Sequence, residues 1–277
     1  MLIDAHHHFW QYNPGEYGWI DENMKILRKD FLPPDLKSTL DHTGIDGVIS
    51  VQARQSIEET AWLLELASKN PFILGVVGWL PIASDRFQRE LEKFEGNPQL
   101  VALRHVIQSE ADDNFILRAD FNKGISLLKK YNLAYDILIY ERQLPQTIRF
   151  VDKHPNQLFV LDHIAKPLIA KRKISPWKEN MLELAKRDNV YCKISGMVTE
   201  AEYTNWSEDQ LLPYFDAALD SFKPDRLIFG SDWPVCLLGI GYKQWADIVG
   251  KIISGLSRDE QASIMGKNAR KAYKLTC

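Results

Sequence analysis

Residues 47–80 read GVISVQARQSIEETAWLLELASKNPFILGVVGWL, and this stretch decides the fold class. Two short apolar runs, 47–53 and 73–80, flank a longer amphipathic one, 56–69. The short runs are rich in Val, Ile and Leu and nearly continuous rather than alternating. That is the pattern of strands buried on both faces of a parallel sheet. Ser56-Ile57-Glu58-Glu59 has the form of a capping box opening the helix between them.

The same unit recurs outward in both directions. Further short apolar runs lie at 2–5, 100–106, 133–139, 158–164, 190–196 and 226–232. Helix-like stretches lie at 84–94, 120–131, 143–154, 177–187 and 208–222, with Ser84 and Ser207 as expected N-caps. Asn97-Pro98 and His154-Pro155 fall where helices should stop. Eight strands with helices between them predict a (β/α)8 TIM barrel, and 277 residues suit one. A doubly wound open sheet alternates in the same way and is the competing architecture. No internal repeat or linker is visible, so residues 1–277 read as a single domain. The segment 10–34 is too long and irregular for a tight βα loop and should lie over one end of the barrel. Residues 235–277 read as a last loop and helices.

Composition excludes several function classes. Hydrophobic residues make up 45% and charged residues 26% of the chain, a globular profile. The net charge is −3 and Lys and Arg are dispersed, so no nucleic-acid partner is expected. Cys192, Cys236 and Cys277 form no CxxC pair, which fits a reducing compartment. No secretory signal and no apolar window of ~18 residues is present, so a cytoplasmic protein without a membrane partner is expected. GxGxxG, GxxxxGK[ST] and GxSxG are absent, which removes support for nucleotide binding and serine-hydrolase chemistry.

Three phrases carry chemistry. In Asp4-Ala5-His6-His7-His8-Phe9-Trp10, His6 and His8 share one face of a strand end while His7 points elsewhere. Two imidazoles on one face suit a divalent metal or a polar substrate. An exposed tag remnant is the bland alternative, and the apolar strand around it argues against that. In Leu161-Asp162-His163-Ile164-Ala165-Lys166-Pro167, His163 falls at the C-terminal end of strand 6, where TIM barrels carry catalytic groups. In Phe229-Gly230-Ser231-Asp232-Trp233-Pro234, Asp232 ends strand 8 as a metal ligand or a general base, or else as a turn cap. Strands 1 and 8 are neighbours in a closed barrel, so these residues converge at one mouth. Arg104 and His105 end strand 4, Gln52 ends strand 2 and Lys193 lies in strand 7; all four are candidate substrate contacts. Arg104 has a wall ion pair as its alternative. Trp10 and Trp233, with Trp79, sit at strand ends and either stack on a sugar ring or pack under 10–34.

His-x-His on strand 1, a later strand-end His and an Asp on strand 8 resemble the amidohydrolase superfamily. The phrases DAHHHFW, LRHVIQ, LDHIAKP, CKISGM and FGSDWPVC resemble its sugar-lactonase branch, which includes L-fuconolactone and L-rhamnonolactone hydrolases and the pyrone-dicarboxylate lactonase. The resemblance runs from residue 3 to about residue 270. It implies a hydrolase opening an aldonolactone, with Asp232 and His163 catalytic. His6, His8, His163 and Asp232 would hold one zinc-like divalent ion, or act without metal as hydrogen-bond donors. Burial is expected to raise the Asp232 carboxyl and strengthen it as a base. Binuclear members place a bridging lysine or glutamate on strand 4 and a histidine on strand 5. Here those strands carry Arg104-His105 and Tyr135-Asp136-Ile137, so two metals are not expected. The rival chemistry on a similar residue set is metal-dependent decarboxylation of an unsaturated or aromatic acid. The few arginines near strand ends favour a neutral sugar lactone over a dicarboxylate.

Overall fold

Eight parallel strands pair in sequence order: β1 (Ile3–His7), β2 (Gly47–Val51), β3 (Ile73–Gly78), β4 (Leu100–Val106), β5 (Ala134–Leu138), β6 (Phe159–Leu161), β7 (Val190–Ile194) and β8 (Leu227–Phe229). These are the eight apolar runs of the sequence. The computed structural model describes residues 1–276, and Cys277 lies outside them. β1 and β8 meet through a His7–Trp233 bridge. There the His8 N–H donates to the Trp233 carbonyl and the Asp232 N–H to the His6 carbonyl, both at 2.7 Å. The sheet therefore closes, and the open doubly wound alternative is set aside. Several runs stop pairing before their apolar sequence ends. Gln52, Trp79, Asp162, Ser195 and Asp232 all lie past the last residue of their strand, where the chain turns to build the barrel mouth.

The outer ring is α1 (Pro33–Leu40), α2 (Ile57–Lys69), α3 (Phe87–Glu92), α4 (Ala119–Leu128), α5 (Leu144–Lys153), α6 (Trp177–Leu184), α7 (Glu208–Arg226) and α8 (Tyr242–Ile252). Ser56 caps α2 by accepting from the Glu59 N–H, but only half of the capping box forms. The Glu59 carboxylate instead accepts from the N–H groups of Ala53 and Arg54, at 3.0 and 2.9 Å. Ser207 N–H donates to the Gln210 side chain at the start of α7. Ser84 does not cap α3: its hydroxyl accepts from the Arg86 N–H in a turn, and the helix begins at Phe87.

The core has two parts. A sheath between strands and helices includes Leu103, Phe150, Phe159, Phe215 and Trp245. A second, smaller cluster fills the barrel itself with Ile3, Ala5, Ile49, Val51, Val77, Ala102, Ala134, Val160, Tyr191 and Ile228. Ala269, Ala272, Tyr273 and Leu275 of the C-terminal segment join that inner cluster and close the barrel from below. Residues 10–34 cross the opposite end. Trp10 and Phe31 exchange backbone hydrogen bonds there, at 3.0 and 2.9 Å. Among the described residues no helix is long and apolar enough to cross a membrane.

Candidate active site

The site begins with a change of parity in β1. Ile3 and Ala5 belong to the inner cluster, so strict alternation would turn His7 inward and His6 outward. The β1–β2 register shifts between Asp4 and His7, and this irregularity reverses the faces. His6 and His8 enter the mouth with ring centroids 5.0 Å apart. His7 lies outside and meets the Ser50 hydroxyl through Nε2 at 2.9 Å. Asp4 anchors the bend: its buried carboxylate accepts from the Ser231 N–H at 2.8 Å, the Ser231 hydroxyl at 2.6 Å and the Tyr242 hydroxyl at 3.0 Å. That ties β1 to the loop carrying Asp232.

Above the apolar barrel filling sits a layer of buried charge. On β4 to β7 the inward residue two positions beyond Ala102, Ala134, Val160 and Tyr191 is Arg104, Asp136, Asp162 and Lys193. Two cations and two anions balance. Lys193 Nζ lies 2.5 Å from Asp136 and 2.9 Å from Asp162, and Arg104 Nη1 donates to Asp162 at 2.9 Å. Tyr273, from the plug below, donates to Asp136 at 2.8 Å. Burial pushes the Asp136 carboxyl up to about 6, against the pull of Lys193. At Asp162 burial also acts upward, but Lys193, His6 and Arg104 prevail and hold it well below the usual carboxylate range. His6 rests on this layer. Its Nδ1 is 3.3 Å from Asp162 and 3.2 Å from Lys193 Nζ, and its Nε2 stands 3.3 Å from Arg104 Nη1. Burial lowers its basicity far below the ordinary imidazole value.

At the mouth, Asp232 Oδ1 lies 3.3 Å from His8 Nε2 and 3.7 Å from His6 Nε2. His8 Nδ1 is 2.8 Å from the Val51 carbonyl, which only accepts; Nδ1 therefore carries a proton, and Nε2 faces Asp232. Asp232 corrects an expectation. Burial acts upward, but His163, His8 and His6 outweigh it and the carboxyl sits well below its ordinary value. It is fully ionised at neutral pH rather than poised near it. The His163 ring lies 4.4 Å from that of His6, tilted by 59°, is lowered to about 4 by burial, and meets the Ser195 hydroxyl through Nδ1 at 2.9 Å. It opens four consecutive residues, His163 to Lys166, with φ between 47° and 60°. Left-handed turns of L-residues cost roughly 1–2 kcal/mol per residue, so several kcal/mol of strain is held here. The Trp177 indole N–H donates to the Ile164 carbonyl inside this turn at 2.7 Å.

The donor set fits one ion. Ligand atoms of His6, His8 and Asp232 all lie within 4.8 Å of one another, and those of His6, Asp162 and His163 form a second such group. Two imidazoles and a carboxylate are a zinc-type set. A second ion does not fit, because Arg104 and Lys193 supply fixed cations on the β4 and β7 side.

A cavity of about 390 Å³ opens above these groups, lined among others by His8, Arg104, His163, Lys166 and Asp232. Several sequence candidates lie elsewhere. His105 is one residue out of phase with Arg104 and points to the outer face, between the Trp79 indole at 3.1 Å and Glu110 at 2.6 Å. Lys193 is wholly enclosed below the cavity floor. Gln52 is buried, with its carbonyl accepting from Arg104. Trp10 donates to the Lys29 carbonyl and packs within 10–34, and Trp233 packs against Phe31. Asp162 was missed, although strand alternation from Val160 would have pointed it inward. Trp19 and Glu16 also line the cavity. They lie in a segment with no periodicity to read.

A family described as Amidohydrolase matches residues 3–275. The chain is 38% identical to an L-fucono-1,5-lactonase of Burkholderia multivorans, over 99% of this chain and 96% of that protein. An amidohydrolase from Burkholderia multivorans, solved with bound HEPES and with bound zinc, superposes with a TM-score of 0.96 at 38% identity over 99% of both chains. A 2,6-dihydroxybenzoate decarboxylase covers 99% of both chains with a TM-score of 0.70 at 16% identity, a likeness of fold alone. With the His6, His8, His163 and Asp232 cluster at the mouth of the closed barrel, these matches show that the chain belongs to the amidohydrolase family.

Proposed function

We propose that this protein hydrolyses the lactone of a sugar acid. The observation that carries this reading is the ionised Asp232 carboxylate among three imidazoles, with Arg104, at the floor of a cavity sized for one small ring. The full-length similarity to an L-fucono-1,5-lactonase supports an aldonolactone as the substrate class.

Asp232 accepts a proton from water as the water oxygen bonds to the lactone carbonyl carbon. The carbonyl oxygen gains negative charge, and Arg104 is the fixed cation lining the cavity beside it. The ring C–O bond then breaks, and the departing alkoxide takes the proton held by Asp232. The product is a hydroxy acid, which releases one proton at neutral pH. His8 and His163, each held at Nδ1, present Nε2 to the substrate side. His6, His8 and Asp232 would hold a single divalent ion, whose chemistry is to acidify bound water toward pKa ~7. The buried free thiols Cys192 and Cys236 accord with a reducing cytoplasmic location.

Decarboxylation is the rival reading. The decarboxylase resembles this chain in fold alone, at 16% identity, against 38% for the lactonase. The test is a pH-indicator assay on a panel of sugar lactones, with wild type and Asp232→Asn, each with and without chelator. Acid release by wild type and a 10²–10⁴-fold loss in the variant are expected. No turnover of any lactone would sink the reading. Release of carbon dioxide from a dihydroxybenzoate would replace it.

A further inference from the structure

We propose that Glu16, on the segment crossing the barrel mouth, sets the charge specificity of the cavity by neutralising Arg54. The proposal deepens the lactonase reading and rests on it for the bond that breaks, but not for which ligand charge is tolerated. Three cationic side chains line the cavity, and each has an acidic partner. Arg104 is bound to Asp162 at 2.9 Å, with both side chains buried. Lys166 stands 3.5 Å from Glu200. Arg54 Nη1 lies 2.7 Å from Glu16, and its guanidinium rests over the Tyr17 ring at 5.5 Å.

The Arg54 pair differs from the others in origin. Arg54 follows β2, and its backbone N–H is held by the buried Glu59. Its partner on the cavity side comes from a separate part of the chain, the aperiodic segment 10–34. The Arg54 Nε lies 3.7 Å from the same Glu59 carboxylate, beyond hydrogen-bond reach, so this donor is unspent. Glu16 is 47% exposed, so its charge can be removed without leaving a buried gap.

The other lining groups suit a neutral polyhydroxylated ring. Gln108 places a buried, unpartnered Oε1 at the cavity wall, an acceptor for a ring hydroxyl. Trp19, 40% exposed, offers an aromatic face to the same space. A carboxylate on the ligand would enter a cavity already holding the Glu16 and Asp232 anions, with no unpaired cation among the described residues to receive it. Glu16→Gln keeps the shape of the wall and removes the cavity-side anion from Arg54, leaving it only Glu59 on its buried side. Selection for neutral ligands then relaxes toward anionic ones.

The experiment compares wild type, Glu16→Gln and the double variant Glu16→Gln/Arg54→Met. Turnover is measured on a neutral aldonolactone and on an aldaric-acid lactone bearing a free carboxylate. Binding is measured by calorimetry with the two corresponding sugar lactams, which are not hydrolysed. In Glu16→Gln the anionic-to-neutral ratio rises about tenfold in kcat/KM and in affinity. The rise shrinks at high salt and vanishes in the double variant. Ratios within twofold of wild type in both measurements overturn the proposal. Failure of every protein to open any lactone counts against the lactonase reading, and the lactam affinities then decide the Glu16 proposal alone.

Discussion

Replacing Lys193 by Met tests the buried charge layer most directly. Lys193 has no exposed surface and neutralises Asp136 and Asp162 at 2.5 and 2.9 Å. Removing one partner from a buried pair leaves an uncompensated charge and typically costs about 3–5 kcal/mol. At roughly 2 °C per kcal/mol for a chain of this size, the midpoint of thermal unfolding falls by about 6–10 °C at pH 8. The deficit depends on pH with a definite sign. Asp136 is already raised to about 6, and losing the ammonium raises it further. At pH 5.5 Asp136 takes up a proton in place of the lost cation, so the variant's deficit narrows. Adding Asp136→Asn recovers part of the loss at pH 8 for the same reason. The assay is thermal unfolding at both pH values, alongside kcat and KM. A variant within about 1 kcal/mol of wild type but with a raised KM would refute this reasoning. It would restore Lys193 as the substrate contact that its place in strand 7 suggested.

Three further outcomes are expected. Glu59 is raised from 4.5 to about 7 by burial, so its contribution to stability is complete below pH 4.5 and is lost as pH rises through about 7. Denaturant titrations at pH 4.5 and pH 8 should show the stability of wild type relative to Glu59→Gln falling by about 3 kcal/mol between the two. Gly196 has φ +63°, and a Cβ there would stand 2.6 Å from His163 Nδ1. Gly196→Ala should displace the ring from Ser195 and lower kcat/KM at least about tenfold, with only about 1–2 kcal/mol lost in unfolding measurements. Elemental analysis after zinc loading and desalting should find at most one equivalent of metal per chain, falling toward none in His8→Ala. Two equivalents in wild type would contradict the placing of Arg104 and Lys193.

Much of the molecule was legible in the sequence because its signals are local. Near-continuous Val, Ile and Leu in short runs specify strands buried on both faces, and all eight formed. His-x-His, the strand-end His163 and Asp232 sit at the ends of those strands, and barrel closure alone gathers them. Helix α2 began where Ser56 announced it, because capping is settled within four residues. Other features depend on partners far along the chain. His6 faces inward only because β1 shifts register against β2, with Asp4 tethered to Ser231 and Tyr242. Asp232 is depressed rather than raised because three imidazoles, delivered by two other strands, outweigh its burial. Lys193 and Asp162 became the floor beneath the site, since charge removed from water must be matched in space, whatever its separation in sequence. The pattern of apolar runs specified the fold class, and the strand-end motifs the chemical groups available; the closed barrel decided which of them meet, and with what charge.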